Sequence, residues 1–169
     1  MRRNLVLKKF ITTMSFLFTL LIATICSAGP VSDSEVSLGG IPYQASESYV
    51  KSIYGSPTSN KTEYVDNEVH RGYITTWKYG DSVSIDFIDG RVSFVTTTAN
   101  NGFATPAGAY VGMKESVLQR LYGLPRKHHT WQDGSSFEYC RSEMDDYIGI
   151  RFDCQNGIVK SIHTGLFDD

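Results

Sequence analysis

Basic charge is scarce in this chain, and that excludes the first class of partner. Sixteen Lys and Arg stand against 18 Asp and Glu, with no basic stripe. A nucleic-acid binder needs clustered cations to meet phosphates, so that role is not supported. Cysteine is nearly absent, with only Cys26, Cys140 and Cys154, and nothing near them in sequence offers the base that a nucleophilic thiol requires. There is no glycine-rich phosphate loop, no nucleophile elbow and no HExxH pair, so the common signatures of nucleotide binding, acyl transfer and zinc proteolysis are missing. Long hydrophobic runs are also lacking. The uncharged stretch Phe10–Cys26 is short for a membrane span.

What that stretch does resemble is a secretion signal. Arg2, Arg3, Lys8 and Lys9 form a basic start, the apolar run follows, and Cys26-Ser27-Ala28 offers small residues for a peptidase. Residues 1–28 are expected to be a signal peptide cleaved after Ala28. Lipid attachment at Cys26 is less favoured, because Ile25 stands where a lipoprotein signal has a small residue. Four of the 16 basic residues and none of the 18 acidic ones lie in residues 1–28, so the mature chain has 12 against 18, a net charge of −6. The expected location is extracytoplasmic, periplasmic or secreted, with no stable membrane span after cleavage.

The mature chain is organised around Gly112–Pro125. Met113, Val117, Leu118 and Leu121 fall on one helical face, Gly123 suits a left-handed C-terminal stop, and Pro125 cannot continue the helix. Ser46–Pro57 repeats the device, with Tyr54-Gly55 matching Tyr122-Gly123 at an offset of 68 and Pro57 matching Pro125. Val83–Phe87 then matches Ile148–Phe152, and Gly90-Arg91-Val92 matches Gly157-Ile158-Val159. These matches imply an internal duplication. The expected division is a flexible lead-in at 29–38, a first repeat at 39–98, a linker at 99–107 and a second repeat at 108–169.

After each helical segment come β-rich runs bounded by turn residues. They are Lys61–Asp66, His70–Tyr79, Ser82–Ile88 and Arg91–Thr98, then Lys127–Gln132, Ser135–Arg141, Tyr147–Cys154 and Ile158–Thr164. Asp89-Gly90, Asp133-Gly134 and Asn156-Gly157 are hairpin signals. Alternation puts Val83, Ile85 and Phe87 on one face, and Ile148, Ile150 and Phe152 on one face. The expected fold class is α+β, two tandem repeats, each a short helical segment packed on one face of an antiparallel sheet of three to four strands. Two such units could also join edge to edge in one larger sheet.

Gly112–Val117 followed by Leu121–Pro125, with the later segment Phe152–Ile162, resembles the signature of the SmpA/OmlA outer-membrane lipoprotein domain. The tandem arrangement is similar to that of the β-lactamase inhibitor protein family. Lys114 departs from the pattern, since the family has Thr or Ser there to cap the helix and a lysine cannot accept those amide hydrogen bonds. The resemblance implies a non-enzymatic role through protein contact, and names no contact residue.

Among individual residues, Cys140 and Cys154 form an even pair in an oxidising compartment, which favours a disulfide. A hairpin turning near Met144 opposes it, because Cys140 would face a residue near 149. Both readings stand. His128 and His129 are neighbours on a strand and point to opposite faces, so they do not chelate one metal together. Asp145-Asp146 and Asp168-Asp169 read as solvated charge. Trp77 turns inward if Tyr79 pairs with Val83 and outward if Tyr79 pairs with Ser82. Separation of apolar from polar residues favours the inward register. The candidates for contact with a protein partner are Arg151, Asp153, His128, His129, Trp77 and Trp131. No cofactor or metal is expected. The functional expectation is an exported, non-enzymatic protein-binding or scaffolding module of the cell envelope. The alternative is an inhibitor of a β-lactamase or other secreted hydrolase, and a hydrolase or metal-dependent enzyme is least favoured.

Overall fold

The computed structural model describes residues 29–66, 71–142 and 145–167. The expected signal peptide, His70, Met144 and the Asp168-Asp169 pair lie outside them.

The chain begins with a 3₁₀ turn at Asp33–Glu35 and a small hairpin of β1 (Ser37–Leu38) and β2 (Ile41–Pro42). Gly39 and Gly40 make the turn at φ of 61° and 74°, values that cost glycine little. Val31, Val36, Leu38 and Ile41 are buried. The segment read as a flexible lead-in is therefore anchored in the core by its apolar residues.

Helix α1 (Glu47–Tyr54) starts at Ser46, whose Oγ accepts the Tyr49 amide at 3.2 Å, and ends at Gly55 with φ of 74°. Strands β3 (Ser59–Asp66), β4 (Arg71–Tyr79), β5 (Val83–Ile88) and β6 (Arg91–Thr97) follow. Residues 98–114 form a packed connection with Phe103, Thr105 and Ala109 buried. A 3₁₀ turn at Glu115–Val117 then runs into α2 (Leu118–Tyr122), stopped by Gly123 at φ of 79°. Strands β7 (Lys127–Trp131), β8 (Gly134–Ser142), β9 (Asp145–Gln155) and β10 (Ile158–Leu166) complete the chain.

All eight long strands make one antiparallel sheet in the order β3-β4-β5-β6-β10-β9-β8-β7. This corrects the expected fold class. Among the described residues the chain is mostly strand, the two α-helices are short, and there are not two helix-on-sheet repeats. The physical reason lies at the seam. Two separate sheets would leave the edges of β6 and β10 with unpaired backbone groups, and pairing Phe94–Thr97 with Ile162–Gly165 satisfies them. Gly165 permits the approach, since a Cβ there would sit 2.0 Å from the Ser93 carbonyl oxygen. The core is likewise continuous. One apolar cluster joins Val50, Trp77, Ile85, Phe87 and Val95 to Leu118, Tyr139, Ile150, Phe152 and Ile162.

The two faces of the sheet differ. One carries this core and is covered by α1, α2, the β1–β2 hairpin and residues 98–114. Tyr79 pairs with Val83 and Trp77 with Ile85, so the inward register holds and Trp77 packs 4.7 Å from the Phe87 ring. Trp77 is thereby removed from the contact candidates, because pairing through a three-residue turn buries it. Among the described residues, no helix is long and apolar enough to cross a membrane.

Candidate binding face

The face away from the helices collects the polar positions of the central strands. On β9, Arg151 and Asp153 alternate with Ile150 and Phe152, so burial of the apolar pair turns the charged pair outward. Register then brings partners beside them. Arg151 lies opposite Glu138 of β8 and His163 of β10, while Asp153 lies opposite Ser136 and Ser161.

These side chains form a connected network. His163 Nε2 lies 3.0 Å from Asp153 Oδ2 and 2.9 Å from Ser161 Oγ, and Ser161 donates to the same carboxylate oxygen at 3.1 Å. The other ring nitrogen of His163 lies 3.0 Å from Thr96 Oγ1 across the seam. The ring stacks on Phe94 at 5.7 Å, and Phe94 meets Phe167 edge-on. The Arg151 guanidinium sits over Phe167 at 5.1 Å and approaches Asp153 at 3.8 Å and Glu138 at 4.0 Å. Lys127 of β7 reaches Glu138 at 3.9 Å. Burial raises the Asp153 pKa, but the hydrogen bond and charge of His163 and the charge of Arg151 outweigh it and hold the carboxyl at about 2. Asp153 is therefore a carboxylate fixed within a network, and not the solvated surface charge that strand alternation alone suggests.

Further along the same face, Thr76 donates to Asp86 at 2.6 Å. Burial, assisted by Glu63, raises the Asp86 pKa although the Thr76 bond opposes the shift. The face thus presents one carboxylate held ionised and one biased toward protonation.

The remaining candidates separate. His128 stacks on Phe137 at 4.4 Å on the helix side, while His129 pairs opposite Ser136 and turns toward the Arg151 face. Trp131 is half exposed, at 52%, beside a shallow groove of about 350 Å³ whose walls include Glu115, His128, Thr130, Asp133 and Ser135. Cys140 pairs opposite Gly149 and Cys154 opposite Ser135, on opposite faces of the sheet, so no bond joins them and the disulfide reading is corrected. Burial, helped by Glu115, pushes the Cys154 thiol up to about 12, which keeps it protonated at neutral pH. Among the described residues, no group of three His, Cys, Asp or Glu is placed to hold a metal ion.

Sequence reading missed His163, Ser161, Thr96, Glu138 and Lys127. Alternation on β10 and β8 was available as a signal for His163 and Glu138. The meeting of Thr96 with His163 was not, because it depends on a pairing between residues 67 apart.

No protein-family model matches the chain, and no curated protein matches it. Among solved structures it is similar to an extracellular protein containing a SCP domain from Bacillus anthracis strain Ames, with 8% identity and a TM-score of 0.46. That likeness covers 73% of this chain and 44% of the other, so this chain spans less than half the length of that neighbour. It is also similar to the uncharacterized protein YfeY of Escherichia coli, with 13% identity and a TM-score of 0.45, over 81% of this chain and 99% of that one. At these values neither likeness carries an argument about function.

Proposed function

We propose that this chain is an exported, non-enzymatic protein-binding or scaffolding module of the cell envelope, and that its partner docks on the open sheet face around Arg151, His163 and His129. The observation that carries the reading is the ordered polar network on a face that no helix covers among the described residues. Its side chains are held in place before binding, so little rotamer freedom remains to be lost when a partner arrives. The basic, apolar and small-residue pattern of residues 1–28 and the resemblance to the SmpA/OmlA signature support export and an envelope role.

One arrangement favours an enzyme instead. Thr96, His163 and Asp153 form a hydroxyl–imidazole–carboxylate chain. Against catalysis, Thr96 is flanked in the sheet by Ser84 and His163, so the backbone amides around it serve the ladder. Among the described residues, the strand pairing on both sides of Thr96 does not present a built oxyanion site.

The test uses the mature protein as bait for envelope proteins, with Arg151→Gln and His163→Gln as variants. Both should melt as folded proteins and capture the partner at least about tenfold less well, a loss of about 1.4 kcal/mol. Equal capture by both folded variants would move the binding to another surface. Ester turnover by the wild type that His163→Gln abolishes would replace this reading with the enzymatic one.

A further inference from the structure

The sheet has two outer edges, and they are built differently. Strand β3 pairs with β4 through eight consecutive residues without a shift in register. No proline or glycine interrupts Ser59–Asp66, and all but Val65 of its residues are exposed. The pairings of β6, β8 and β10 each contain an irregularity, whereas β3 is regular along its whole length. A long, regular, uncovered edge offers its outward N–H and C=O groups to any strand that can lie beside it.

Edges are usually protected by a lysine that would be left without a partner in a pairing strand. In β3 the lysine does not act that way. Lys61 and Glu63 lie two residues apart, on the same face, and are ion-paired. An antiparallel pairing of β3 with a second β3, centred on Thr62, sets Lys61 of each copy opposite Glu63 of the other. The two-fold axis makes two such charge pairs, and it places Asn60 opposite Tyr64 twice. Opposite charges directly across a strand pair stabilise it, and like charges destabilise it. The same alignment continues the helix side of one sheet into the helix side of the other. There Tyr64 and Tyr73, in edge-to-face contact at 5.3 Å, are 55% and 66% exposed and would gain cover.

The other edge lacks this property. Strand β7 carries Lys127, His128, His129, Thr130 and Trp131, with no carboxylate to meet its lysine in a second copy. It is also only five residues long.

We propose that two copies of this chain associate edge to edge through β3, forming a two-fold symmetric dimer with one continuous sheet. A two-fold interface requires a surface complementary to itself, and the Lys61–Glu63 spacing supplies that property. The proposal does not depend on the open-face partner.

Sedimentation velocity of the mature chain, from low to high micromolar concentration, tests it. The wild type should move from monomer to dimer. Lys61→Glu and Glu63→Lys should each weaken the dimer at least about tenfold, since each sets like charges opposite one another twice. An equimolar mixture of the two variants should restore the dimer, because the glutamate introduced in one variant then faces the lysine introduced in the other. The double variant Lys61→Glu with Glu63→Lys should dimerise like the wild type. Both substituted positions are on an exposed strand, and unchanged melting temperatures confirm folding. A wild type that stays monomeric overturns the proposal. So does a single variant that dimerises normally, or a mixture of folded variants that stays monomeric.

Discussion

Helix α1 runs for eight residues and α2 for five, although both end on a glycine in the left-handed region. The difference is at their starts. Ser46 accepts the Tyr49 amide and satisfies a donor that the first turn leaves free. Lys114 offers no acceptor, and its neighbourhood is drawn into backbone pairing with the start of β10. Glu115 N donates to Gly157 O at 3.0 Å, and Val159 N to Met113 O at 3.0 Å. The second segment therefore opens as a 3₁₀ turn and becomes α-helical only at Leu118. Stop signals of equal quality thus leave helix length to be decided by the cap.

The two halves of the sheet can be set against each other by mutation. The largest expected effects are at Phe87 and Phe152, both within 1% of full burial. Phe87→Ala and Phe152→Ala should each cost about 3–5 kcal/mol. Because one core runs through both halves, each should lower one common unfolding transition in urea. Two separate transitions, each sensitive to only one substitution, would break the single-sheet description.

Glycines come next. Gly165→Ala at the seam combines φ of 129° with a Cβ 2.0 Å from Ser93 O, and should cost about 2–3 kcal/mol. Gly55→Val meets open space and carries only the backbone strain, about 1–2 kcal/mol by thermal melting. Equal losses at Gly165 and Gly55 would mean that close approach at the seam contributes nothing.

The caps are smaller and opposite in sign. Ser46→Ala should destabilise by about 1 kcal/mol, while Lys114→Ser should stabilise by a similar or lesser amount and increase far-UV helical signal. No change in helical signal for Lys114→Ser would show that the pairing with β10, and not the missing cap, sets the length of α2.

The smallest effects concern two carboxylates of the open face, each partly screened by solvent. Asp153 titrates below its ordinary value, at about 2, so its contribution to stability is present above about pH 4 and is lost as pH falls toward about 2. Asp86 is raised, so its contribution is present below about pH 4 and is lost as pH rises through the raised value. At neutral pH, Asp153→Asn should lower the melting temperature and Asp86→Asn should raise it. Melting curves across the acid range check both signs, and a shared sign would refute the contrast.

Strand boundaries were legible because they follow from near neighbours. Val83, Ile85 and Phe87 alternate, Asp89-Gly90 turns, and the structure places β5 and β6 within a residue or two of that reading. Trp77 was legible through the same rule, since only one register buries it with Ile85. The polar network was half legible. Arg151 and Asp153 are placed on one face by alternation, whereas the choice of His129 over His128 comes from the pairing of β7 with β8, and His163 and Thr96 meet through a pairing between distant strands.

By itself the sequence determined the helix stops at Gly55 and Gly123, the eight long strands, and which side chains of β5 and β9 must avoid water, because φ preference and period-two alternation act over a few residues. Tertiary structure alone decided that β6 and β10 join, that eight strands form one sheet over one core, and that Cys140 and Cys154 face away from each other. It also decided which edges remain uncovered. Those outcomes depend on which backbone groups stay unsatisfied once every local element has formed, a condition set by the whole chain.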